Sequence, residues 1–128
     1  ELRTEVMVPV ESAQKIGLRS PLPRARLPEV WRVLRADPQA LPIKHEQRYD
    51  LLRAKLYGGN VLKVAEALRD MTRRKADKGH LTIEGKRLYD KSMMLLAGEV
   101  AMIENRDIQA TEERIWQVLN QSMQPGQE

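Results

Sequence analysis

Hydrophobic residues recur along most of this chain at helical spacing, and the spacing breaks where Gly, Pro and Asn intervene. Leu27, Val30, Trp31 and Leu34 share one helix face, with Pro28 tolerated in the first turn, and "DPQALP" ends that helix. A second helix is predicted from about Lys44 to Tyr57, with Leu52 and Leu56 inward and Tyr49 on the same stripe. "GGN" follows it. Gly58 or Gly59 can take a left-handed C-cap, and Asn60 can cap the next helix. That helix, about Val61 to Lys78, carries the cleanest stripe, Val61, Val64, Ala65, Leu68 and Met71, and stops at Gly79. Thr82 can cap a long helix to about Glu104, and Gln109 or Thr111 starts a last one through Ile115, Trp116 and Leu119.

The first ten residues read differently. Leu2, Thr4, Val6 and Val8 alternate with Arg3, Glu5 and Met7, a period of two that predicts a strand ending at Pro9. A lone strand leaves its backbone groups unpaired. Two outcomes meet that need: pairing with a second copy in a strand-mediated dimer of a truncated chain, or membership of a domain missing from this chain, which is the favoured reading. "ESAQKIG" predicts one or two helical turns, "LRSPLPRAR" a basic connector, and "QPGQE" a disordered tail. The expected fold class is therefore all-α: a compact bundle of about five helices, antiparallel where connections are short, preceded by one orphan N-terminal β-strand. Residues 1–10 are expected to be the last strand of an otherwise absent domain, 11–123 the helical domain and 124–128 the tail.

Composition narrows the chemistry. The 128 residues contain no Cys and no Phe, which excludes disulfides, thiol catalysis and cysteine-ligated metals and leaves aliphatic side chains and Met to fill the core. No apolar run approaches the roughly 20 residues of a membrane span, so no membrane partner is expected. Catalysis finds little support: "GGN" lacks the strand and Lys of a phosphate loop, and His45 and His80 lack metal-ligand spacing. Neither an enzyme nor a cofactor is expected. Trp31 and Trp116 read as core, as do Met93, Met94 and Met102 as core filler.

Lys and Arg number 22 against 18 Asp and Glu, and they cluster. Arg69, Arg73, Arg74, Lys75 and Lys78 crowd the end of the third helix, where the helix dipole also favours cations. Lys86, Arg87 and Lys91 fall in the first turns of the next, where it does not. Lys44, Arg48 and Lys55 add a third set. A tight hairpin across Gly79 would bring the first two sets together. A solvated face and a phosphate-binding face both fit this pattern. The start of the second helix, "PIKHEQR", is also unusual: it has no short polar cap and a lysine instead.

These stretches resemble a known family. "VMVPVESAQKIGLR" is similar to the junction in CarD-like (CarD/CdnL) transcription regulators, where the last strand of an N-terminal domain runs into a helical C-terminal domain. The resemblance continues through "LPEVWRVLRA", "QRYDLLRAKLYGGNVLKVAEALRDMTRRKADKG" and "GKRLYDKSMMLLAGEVA", about Val6 to Glu104. It implies a bacterial, cytoplasmic and nucleoid-associated protein. It also implies two partners: the RNA polymerase β subunit, held by a Tudor-like N-terminal domain, and promoter DNA at the upstream edge of the melted bubble, touched by the helical domain. There the family wedges a Trp into the minor groove while basic residues grip the backbone. The wedge motif aligns with "HEQR", so His45 stands where Trp is expected, and Ile43 and Lys44 replace the polar cap. Arg48, Arg73, Arg74 and Lys86 match family basic residues; Asp50 stands where a basic residue is common. The DNA-contacting set implied is His45, Arg48, Lys86, Arg73, Arg74, Lys44 and Arg87. The alternative is a basic helical module that docks on an acidic protein surface without touching DNA.

Overall fold

The protein is described by a computed structural model over residues 22–123. The expected N-terminal strand, the short helical turns near residues 11–17 and the tail lie outside the described residues. Within them the chain is all-helical. A 3-10 turn, Arg24–Arg26, leads into α1 (Leu27–Arg35), α2 (His45–Tyr57), α3 (Val61–Lys78), α4 (Ile83–Glu104) and α5 (Ile108–Met123).

The helix boundaries follow local chemistry. Asn60 Oδ1 accepts from the Leu62 N–H at 2.9 Å, and Thr82 Oγ1 accepts from the Gly85 N–H at 3.0 Å, each satisfying a first-turn donor. Gly79, at φ 86°, closes α3 in the left-handed region where a side chain would be strained. Between α2 and α3 that conformation falls to Gly59, at φ 87°, while Gly58 stays right-handed. Asn105 (φ 56°) performs the same turn after α4. The last helix starts one residue before the earlier of the expected positions, because Asp107 Oδ2 accepts from the Ala110 N–H at 3.0 Å and is its true cap.

The third helix is the centre of the bundle. Its predicted stripe is buried, but so are Ala67, Arg69, Asp70 and Thr72, because α1, α2, α4 and α5 surround it. A fully buried Leu such as Leu68 contributes about 1.5–3 kcal/mol of hydrophobic free energy, so this helix organises the fold. Leu22 joins the same core, its N–H donating to Glu99 Oε2 at 2.8 Å.

Several expectations about burial are corrected. Trp31 is core at 7% exposure, with the Arg114 guanidinium 4.2 Å from its ring centroid. Trp116 is not core: it is 40% exposed. On α5 the inward positions go to Ile115 and Leu119, and the residue after Ile115 is rotated about 100° out of the stripe. Met94 and Met102 are exposed for the same reason, since Leu88, Leu95, Leu96 and Val100 take the inner face of α4; Met93 packs half-buried against the core.

Candidate nucleic-acid interface

Three helix ends meet at one corner of the bundle. Tyr49, in the second turn of α2, hydrogen-bonds through its hydroxyl to Thr82 Oγ1 at the start of α4. The last turns of α3 reach the same place through Arg74 and Lys78. Between them lies a cleft of about 270 Å³. Leu41, Leu52, Met71 and Leu81 form its apolar lining, and Arg48, Arg74, Lys78 and His80 supply the cationic and imidazole groups.

The approach to α2 is held from inside. Arg48 is only 5% exposed. Its Nη1 donates to the backbone oxygens of Pro42 at 3.1 Å and Ile43 at 2.9 Å, and its guanidinium stands 5.1 Å from the Tyr49 ring centroid. An arginine placed among the DNA-contacting residues is therefore committed to holding the turn that presents them. A buried guanidinium needs such partners, since desolvating a charge without them is unfavourable. The residues on that turn are open: Ile43, Lys44 and His45 are exposed, and no side chain caps the first turn of α2. His45 stands in that first turn, its ring centroid 6.1 Å from Tyr49. Free N–H groups at a helix start, next to a lysine, form an arrangement that accepts anions.

The other expected residues divide. Arg74 lines the cleft, while Arg73, one position earlier, pairs with Asp77 at 3.3 Å. Lys86 is exposed in the first turn of α4 beside Gly85, its Nζ 3.4 Å from Asp90. Arg87 is not brought into the cleft: it bonds Glu84 at 2.9 Å and, with Arg53, lines a separate groove between α2 and α4. Arg69 leaves the basic cluster altogether. It is buried, its Nε donating to Asp70 Oδ1 at 2.9 Å and its Nη1 to the Val33 oxygen at 3.3 Å. Asp70 Oδ1 also accepts from the Gln39 N–H at 2.9 Å, which pins the loop between α1 and α2 to the central helix.

Lys78, one of the clustered cations of α3, reaches the cleft together with His80, which the sequence spacing addresses only as a metal ligand. The signal for His80 is the turn "KGHLT", short enough to fold the end of α3 onto the start of α4.

A family model described as CarD, C-terminal domain, matches residues 29–116, more than half of the chain. The chain belongs to the CarD family. The CarD C-terminal domain so defined runs from α1 to the middle of α5 and contains the whole corner described above. Membership makes this a transcription-related protein of a regulatory family. Among the described residues no helix is long and apolar enough to cross a membrane, and no group of His, Asp and Glu could hold a metal ion.

Proposed function

We propose that this helical domain contacts promoter DNA at the upstream edge of the transcription bubble and helps hold the promoter open within a regulator that also binds RNA polymerase. The observation that carries the reading is the set of cations at three helix ends: half-buried Arg74 and exposed Lys78 lining the cleft at the end of α3, with exposed Lys44 on the approach to α2 and exposed Lys86 in the first turn of α4. Among the described residues Lys86 has only an exposed i,i+4 carboxylate to leave, a pair of little net worth in water. His45 sits at the minor groove in this account, where its imidazole offers less apolar area than an indole wedge, so phosphate contacts carry more of the binding. Arg48 acts from behind, fixing the turn. Selective binding to the melted form shifts the promoter towards it, as any state-selective ligand does.

An electrophoretic shift assay on a forked promoter fragment, with a shuffled blunt duplex as control, tests the proposal. The fork should be retained at lower protein concentration than the duplex. No shift of either at low salt would instead favour a basic module docking on an acidic protein surface.

A further inference from the structure

The cleft at this corner differs from a simple cationic patch. Its walls are part apolar, from Leu41, Leu52, Met71 and Leu81, and part polar, from Tyr49, His80 and Thr82, while Arg48 closes one side and Arg74 and Lys78 bring long cationic side chains from the last turns of α3. Ion pairs among the described residues occupy Arg53, Arg73, Lys86 and Arg87 nearby, but none occupies Arg74 or Lys78. An inorganic anion would leave the apolar lining unfilled, and an aliphatic group would leave the cations unused. A ligand matching both has a body with apolar faces and polar edges, suited to the leucine and Met71 walls and to Tyr49, His80 and Thr82, and carries a phosphate. At about 270 Å³ the cleft lies just below the roughly 300–1,000 Å³ of ordinary small-molecule sites, room for one such unit.

We propose that this cleft binds a single unstacked nucleotide, the base against the apolar lining and the phosphate against Arg74 and Lys78. Two sources share that chemistry: a free mononucleotide, or one residue of a single strand such as the melted strand at a promoter fork. The strand form rests on the DNA-contact reading above. A strand would gain from phosphates on either side of the bound unit, as in single-strand grooves that pair base-accepting surfaces with backbone cations.

The test is nuclear magnetic resonance titration of the chain with inorganic phosphate, thymidine monophosphate, a short oligo-dT strand and a blunt duplex. Resonances of Leu52, Met71, Leu81 and Gly85 should move with the mononucleotide and with the strand, the strand binding at least 10-fold tighter. Leu81→Trp, which fills the cleft, should weaken the strand at least 10-fold and leave the duplex within 2-fold. Arg74→Ala with Lys78→Ala should weaken the mononucleotide at least 10-fold, and this pair, outside the hydrophobic core, keeps the question answerable if Leu81→Trp does not fold. Equal shifts with phosphate alone would overturn the nucleotide and leave only an anion site. Strand and duplex binding that move Lys86 and His45 but not Leu81 or Gly85 would overturn the cleft while sparing DNA contact. Mononucleotide binding without any DNA binding would keep the cleft and remove the strand; no binding at all would remove both.

Discussion

Arg69 and Arg74 lie five positions apart on one helix and lead opposite lives. Arg69 sits where α1 and the loop after it cover α3, so its guanidinium is buried and held by Asp70 and the Val33 oxygen. Arg74 sits past that cover, at the cleft, with no ion pair among the described residues. The same contrast recurs on α2 between buried Arg48 and exposed Lys44. In each pair one cation builds the frame and the other is presented by it. Charge counted along the sequence cannot separate these roles; neighbouring elements assign them.

The largest expected effect breaks the frame. Asp70→Ala should leave Arg69 as an uncompensated buried charge and destabilise the fold by about 3–5 kcal/mol in urea unfolding. Arg74→Ala, at a half-buried position with no ion pair among the described residues, should cost no more than about 1 kcal/mol. Equal losses would erase the distinction. Next comes Arg48→Ala, expected to remove about 1.5–3 kcal/mol through two lost charge-assisted bonds to the Pro42–Ile43 turn. It should also weaken DNA binding without changing the salt slope, because Arg48 touches no phosphate in this account. A shallower slope would return it to the contact set.

The smallest effect concerns Glu66, which receives Lys55 of α2 at 3.1 Å and Lys63 at 3.5 Å. Partial burial pushes its carboxyl upward, but the hydrogen bond and charge of Lys55, with Lys63, outweigh this and hold it below the ordinary 4.5. A carboxyl lowered on folding stabilises fully above its unfolded value and loses that contribution as pH falls through the folded one. Glu66→Gln should therefore cost about 0.5 kcal/mol at neutral pH, discounted for solvent access. It should also flatten the decline in stability below pH about 4.5. An unchanged acid limb would mean that the pair contributes nothing.

Much of the fold was legible because its signals are local. Asn60, Gly79 and Thr82 act on the backbone within a few residues of themselves, and α3 runs over the predicted residues. Trp116 was misplaced because helical spacing fixes which residues share a face but not how wide the covered face is; α5 is covered over Ile115 and Leu119 and open one step round. At the site, clustering of cations was visible, and so was the uncapped start at His45. The cleft was not. It depends on Tyr49 meeting Thr82 across the bundle, a contact no sequence spacing encodes.

The central claim is that the corner where α2 begins, α3 ends and α4 begins grips DNA phosphates. Its most direct test is the salt dependence of forked-promoter binding for Lys86→Gln against the unaltered chain. Loss of one phosphate contact predicts weaker binding at every sequence and a log–log slope shallower by about 0.7–0.9. An affinity and slope identical to the unaltered chain would contradict it.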